Sequence, residues 1–240
     1  MHEKAKSYSN KPTKHQPHGL TILYEDYDII VVDKIAGLLT MGTDSEREKT
    51  AWFLLSEYVK KGNPRSRNRI FIVHRLDRDT SGLLVFAKNE QAKHFLQDNW
   101  ESFDKKYFAV VQGVLREKAG TITSYLTENK CYMVYSVTDP EKGKLAKTGY
   151  QVIKESEKYS LLEITLFTGR KHQIRVHFSE KGHPVVGDKC YGDPDKCAKR
   201  MALHSASLKI VHPYTNKEMV FETEIPSWFN TLVRVKATGK

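Results

Sequence analysis

Apolar residues in this chain come in short runs separated by polar turns, and the spacing within each run predicts the element it forms. Ile22, Leu23 and Tyr24 precede the acidic turn Glu25-Asp26, and Ile29 to Val32 follow it, so two strands are expected there. Ile70 to Val73 and Leu83 to Ala87 read as two more buried strands, with the polar stretch His74 to Gly82 turning between them. The period then changes. Trp52, Phe53, Leu55, Tyr58 and Val59 fall on the apolar side of a helix from Thr50 to Lys61. Asn89 is a good N-cap, and Ala92, Phe95, Leu96, Trp100 and Phe103 recur on one face, which predicts a second helix as far as about Phe103. Lys105 to Gly113 reads as a strand whose first aromatic is Tyr107. Two β runs between Gly149 and Phe167 are split by the polar hairpin Lys154 to Lys158, and a last pair, Leu203 to Ile210 and Glu218 to Glu224, turns around Pro213 to Asn216. Pro226 opens a short terminal helix with Trp228, Phe229 and Leu232. Strands outnumber helices and often follow one another directly. The fold class is therefore α+β with a mixed, mostly antiparallel sheet.

Composition adds a partner. The 240 residues suit one domain, or one domain of two lobes, and 39 Lys+Arg against 29 Asp+Glu leave a net charge of +10. Nucleic acid is the first polyanion to consider and an acidic membrane surface the second. No segment has the length of an apolar transmembrane helix and the N-terminus lacks a signal peptide's apolar core, so a cytoplasmic chain is expected. Residues 1–18, with Lys4, Lys6, Lys11 and Lys14 against Glu3, read as a flexible basic tail ahead of a domain over 19–240. Cys131, Cys190 and Cys197 make an odd count, expected to be reduced thiols. Cys190 and Cys197 lie near His183 and His204, but the six residues between them exceed the spacing of a zinc knuckle. No metal site is expected.

Two stretches carry chemistry. The first is VHRLDRDTSGLLVFAK, Val73 to Lys88, which puts Asp77 between Arg75 and Arg78 on the polar turn. Between Glu57 and Asp77 there is no other acid, whereas Lys60, Lys61, Arg65, Arg67, Arg69 and Arg75 all lie there. Neighbouring cations favour the ionised form of a carboxylate, which a nucleophile or base needs and a proton donor does not. On residue types alone, a hydrogen-bonded turn aspartate with a solvated ion pair competes with that reading. The second stretch is FTGRKHQIRVHF, Phe167 to Phe178, with Arg170, Lys171 and Arg175 and no acid between Glu163 and Glu180. A Thr-Gly turn before a helical start exposes backbone N–H groups, and adjacent cations would make it an anion site. A basic helix start that merely faces solvent is the alternative.

HRLD followed by TSGLLVFAK closely resembles the signature of the RluA-type RNA pseudouridine synthases. Asp33 to Leu39 resembles that family's first motif, TGRKHQIRVHF with GHPVVGDKCYG its third, and LHSASLKIVHP a fourth, so the likeness runs in order from Leu20 to about Val235. It implies a pseudouridine synthase fold, one long curved sheet with a central cleft and flanking helices. It implies that Asp77 is the catalytic nucleophile, Tyr107 the aromatic that stacks on the target base, and Arg175 the cation paired with Asp77. Arg75 is similar to the arginine that fills the gap left by a flipped nucleotide, and Arg170, Lys171, His172 and Gln173 are expected to bind substrate.

Residue chemistry agrees with those roles. Pseudouridine formation breaks the C1′–N1 bond, turns the base and rejoins it through C5, with no net redox change, so no cofactor is expected. A carboxylate can trap an oxocarbenium-like sugar or act as a base on it. A nucleotide inside structured RNA must be extruded, and an aromatic to receive it is the natural companion. The residues before Leu20 are too few for the small RNA-binding domain that often precedes this catalytic unit, so a tRNA or rRNA stem-loop read by the catalytic domain, as a monomer, is the expected substrate. Two other readings compete: a non-catalytic RNA-binding or ribosome-assembly protein on the same fold, and a metal-dependent hydrolase using His74, Asp77 and Asp79.

Overall fold

The structure is a computed structural model that describes residues 16–42, 46–192, 198 and 200–234. Most of the expected basic tail, the residues after 234, and Cys197 lie outside the described residues. In chain order the elements are β1 (Leu20–Glu25), β2 (Ile29–Lys34), α1 (Ala51–Lys60), β3 (Phe71–Ile72), β4 (Ser81–Ala87), α2 (Glu90–Asp98), a 3-10 turn at Trp100–Ser102, β5 (Asp104–Gln112), β6 (Ala119–Glu128), β7 (Val134–Val137), β8 (Lys144–Glu155), β9 (Tyr159–Leu166), α3 (Gln173–Glu180), β10 (Leu203–Val211), β11 (Glu218–Glu222) and α4 (Ser227–Leu232). The described residues form two compact units, one up to Asp104 together with Ser205–Glu224, the other from Lys105 to His204 together with the residues from Ile225 on.

In the first unit the strand order is β1-β2-β4-β10, with β3 beside β4 and β11 beside β10. Ile29 to Val32 and Leu83 to Ala87 are wholly buried, which explains why both strands read as unbroken apolar runs rather than alternating ones. They pair antiparallel, Val31 opposite Val85 and Lys34 opposite Gly82. Gly82 has φ +110, and a Cβ there would sit 2.1 Å from the Ser205 carbonyl oxygen, so only glycine lets the two backbones approach this closely. Thr50 caps α1 by accepting from Phe53 N, and Lys61 ends it in the left-handed region at φ 51.

Three expectations need correction here. The buried face of α1 is Ala51, Leu55 and Val59, and Trp52 is 38% exposed although it was expected on the apolar side. Its indole Nε1 donates to the Ile70 carbonyl at 2.9 Å, which holds the ring at the surface. The strand expected over Ile70 to Val73 shrinks to Phe71–Ile72, because the carbonyls of Ile70 and Ile72 take side-chain donors, Trp52 and Gln97, in place of a neighbouring strand. Helix α2 stops at Asp98 rather than near Phe103, where Asn99 Nδ2 bonds the Phe95 carbonyl and a 3-10 turn follows.

In the second unit the order is β5-β9-β8-β6-β7 and the paired strands run antiparallel. Hydrophobic spacing did not reveal β6 and β7, and it began β8 at Gly149 instead of Lys144. The reason is visible in β6, where Leu126 is the single fully buried residue. Val110, Leu161, Val186, Ala202, Phe229 and Val233 form one core cluster of this unit, so Phe229 is the anchor of α4. Among the described residues no helix is long and apolar enough to cross a membrane.

Candidate active site

Asp77 lies half-buried on the turn between β3 and β4, with Arg75, Arg78 and Asp79 exposed around it and Leu76 and Thr80 buried. The turn is held from below by Lys34. That lysine is wholly buried at the end of β2, and its ammonium donates to four main-chain carbonyls: Leu38 at 2.8 Å, Ile35 at 3.1 Å, Arg78 at 3.2 Å and Asp77 at 3.4 Å. Burial pushes the Lys34 ammonium down to about 8, and the carboxylates of Asp77, Asp79 and Asp33 act against that fall. A second clamp is reciprocal. Thr40 Oγ1 donates to the Leu76 carbonyl at 2.8 Å and accepts from Leu76 N at 3.1 Å. Gly37 N adds a bond to the Arg78 carbonyl, and Thr80 N closes the turn on the Asp77 carbonyl. At the turn's entry the His74 ring stacks on Trp100 at 4.0 Å and accepts from Val85 N. Sequence spacing gave no role to Lys34 or Thr40. The available signal was a lysine that closes the strand after the apolar run Ile29 to Val32.

Tyr107 sits on β5 opposite Ile164 and is 8% exposed. In the same unit Arg175, on the first turn of α3, forms a bidentate pair with Asp188, Nε to Oδ2 at 2.6 Å and Nη2 to Oδ1 at 2.9 Å. Burial alone would raise the Asp188 carboxyl, but the Arg175 bonds and charge, with the N–H groups of Cys190 and Tyr191, hold it below its usual value. The Arg175 guanidinium also lies over the Tyr191 ring at 5.0 Å, and the Tyr191 hydroxyl bonds His172 Nδ1 at 2.8 Å. Asp188 was not foreseen as a partner, because it lies thirteen positions and a turn beyond Arg175.

The turn that opens α3 differs from the expected anion cradle. Gln173 is 2% exposed and uses its amide within the chain, accepting from Thr168 Oγ1 and Arg170 N and donating to the Lys147 carbonyl and Thr148 Oγ1. It organises the turn, and the Arg170 N–H is taken. Arg170 Nε bonds the Leu145 carbonyl, and Lys171 pairs with Glu128. His172 enters the helix at φ 54. His177 is buried between Ser124 and Thr148 hydroxyls, and burial lowers it to about 4 against a weak pull from Glu180, so it is neutral at pH 7. Asp26, Asp28 and His212 come within 4.8 Å of one another in the first unit. Their atoms are used by turns of the chain, Asp26 accepting from Asp28 N, Ile29 N and Tyr24 in the β1–β2 turn, Asp28 from Asn89 Nδ2, and His212 from Tyr214 N in the β10–β11 turn.

Comparison with known proteins adds what geometry cannot. The family described as RNA pseudouridylate synthase matches residues 28–180. An uncharacterized RNA pseudouridine synthase of Bacillus subtilis, YhcT, is 36% identical over 219 residues, covering 90% of this chain and 72% of that protein. The dual-specificity RNA pseudouridine synthase RluA of Vibrio cholerae is 35% identical over 199 residues, 81% of this chain and 78% of its own length. Among solved structures, human RNA pseudouridylate synthase domain containing 1 superposes with a TM-score of 0.72 at 26% identity, over 92% of this chain and 89% of that one.

Proposed function

The chain belongs to the RNA pseudouridylate synthase family, and from that premise we propose that it isomerises particular uridines of a structured tRNA or rRNA, acting as a cytoplasmic monomer without a cofactor. Asp77 is the reacting carboxylate. It either adds to C1′ as the C1′–N1 bond breaks or takes a proton from the sugar, and in both routes the freed base turns and bonds through C5. Tyr107 receives the extruded base, Arg75 fills the gap it leaves, and Arg175 supplies positive charge to the reaction. Arg170, Lys171 and His172 contact the RNA backbone, and Gln173 keeps their turn in shape.

The observation that supports this most is the turn of Asp77. Lys34 and Thr40 secure the main chain of residues 76 to 78 from both sides of Asp77. A group that must meet a sugar carbon needs its backbone fixed by others.

The test is to incubate the chain with total RNA from a strain lacking its gene, in chelator, and map pseudouridine. Wild type should restore one or a few sites, while Asp77→Asn restores none yet melts cooperatively near the wild-type temperature. Its RNA affinity should stay within about tenfold, roughly 1.4 kcal/mol. Retained turnover in Asp77→Asn would sink the assignment, and loss of the fold with activity would return Asp77 to a purely structural role.

A further inference from the structure

Within the first unit, α1 and β3 enclose a groove of about 610 Å³ that no step of the reaction uses. Trp52 and Lys60 line it from one face of α1, Phe71 and Ile72 from β3, and Arg69 and Lys93 from its rim. Its size falls in the roughly 300–1,000 Å³ range of ligand sites. Trp52 is 38% exposed, an unusual outlay of apolar surface on a helix that buries Ala51, Leu55 and Val59 instead. The ring is also fixed in place, because its Nε1 is bonded to the Ile70 carbonyl at 2.9 Å. An exposed aromatic held rigid is a stacking platform.

Charge says what would stack there. Lys60, Arg69 and Lys93 ring the apolar floor, and the exposed Arg65 and Arg67 continue the basic rim along the loop into β3. Glu57 lies 2.8 Å from Lys60, and the next acid along the chain after it is Asp77. Aromatic faces inside a basic ring fit an unpaired base with phosphates on either side, since every base has a π face and each phosphate neutralises a cation. The floor strand β3 also runs into the Asp77 turn through Val73 to Leu76. We propose that this groove is a second RNA site, which takes one unpaired nucleotide flanking the reacting uridine, its base against Trp52 and Phe71 and its phosphates on Arg69 and Lys93. The proposal rests on the reading that the chain acts on RNA.

The probe is a short single-stranded RNA carrying 5-iodouridine, irradiated with the full chain and followed by peptide mapping. Adducts should fall on the peptides of Trp52 or Phe71. In equilibrium titrations of the same RNA, Trp52→Ala should weaken binding about tenfold and Trp52→Phe should recover most of it. Arg69→Glu with Lys93→Glu should weaken it as much and reduce the salt slope, whereas Lys217→Glu, at an exposed position of the β10–β11 turn, should change neither. If Trp52→Ala fails to melt cooperatively, the paired charge reversal carries the test alone. Adducts confined to other peptides, or folded variants that bind as wild type, overturn the proposal. Equal competition by polyglutamate also overturns it, giving the groove to an acidic protein. Failure of the functional reading looks different, with no pseudouridine made in any RNA while the Trp52 adduct stands.

Discussion

The turn that carries Asp77 and the turn that opens α3 meet the same demand, a polar loop held rigid against an apolar sheet, with different chemistry. In the first unit one buried ammonium, Lys34, gathers main-chain carbonyls, and the side chains of the turn take no part in that bond set. In the second, side chains hold one another: Arg175 with Asp188, Gln173 with Thr168 and Thr148, His177 with Ser124 and Thr148. A main-chain clamp fixes where a residue stands through backbone atoms alone. A side-chain network spends functional groups on stability. Damage to the first should therefore show mainly in turnover, and damage to the second in melting as well as in turnover.

Arg175→Met is the strongest way to break that contrast. It leaves the buried Asp188 carboxylate without its counter-charge, held only by the N–H groups of Cys190 and Tyr191, and about 3–5 kcal/mol of stability should go, read by denaturant unfolding. Arg175→Met combined with Asp188→Leu should regain much of the loss, because an apolar pair has no stranded charge. If the double variant recovers stability but not turnover, Arg175 has a part in the reaction beyond holding Asp188. A double variant no more stable than the single one would mean that the pair is not the main support of this turn.

Lys34→Met should cost less stability, about 1–3 kcal/mol for carbonyls left short of a donor, offset in part by relief of a buried charge. Its effect on single-turnover rate should be larger than its melting predicts. A normal rate in a folded Lys34→Met would show that the clamp does not position Asp77.

Acid gives the sharpest test. His177 and His204 in the second unit are both lowered by burial to about 4 from an ordinary 6.5. Between those values the unfolded chain binds more protons than the folded one, so stability present above pH 6.5 is lost as the pH falls toward 4. Each histidine contributes a slope of up to about 1.4 kcal/mol per pH unit, and His177→Gln should remove one of them. Lys34 works in another window. With a folded value of about 8 against 10.5, the cost of its burial is full below pH 8 and fades as the pH rises toward 10.5. Thermal melts from pH 4 to 7 check the acid limb, and an unchanged slope in His177→Gln would show that this histidine does not carry the loss.

Much of this was legible from residue order alone. Runs such as Ile29 to Val32 and Leu83 to Ala87 announce buried strands because a strand covered on both faces has no polar positions to alternate with. Asn89 and Thr50 mark helix starts because their side chains do their work locally, within three residues. Asp77 stood out because the motif around it is contiguous. What stayed hidden is of another kind. β6 and β7 were missed because they bury almost nothing, and Trp52 was placed on the wrong side because a helical period gives spacing without saying which face meets the sheet.

The sequence by itself determined the α+β class, the polar turn that bears Asp77 and the family the chain belongs to, since each depends on neighbours within one element or one motif. Only tertiary structure decided that Lys34 is buried beneath that turn, that Arg175 pairs with Asp188, and that Gln173 keeps its amide within the chain. These are long-range facts. In a sequence a lysine, an arginine and a glutamine read as surface, and burial with partners from distant segments is what turns them into structural groups.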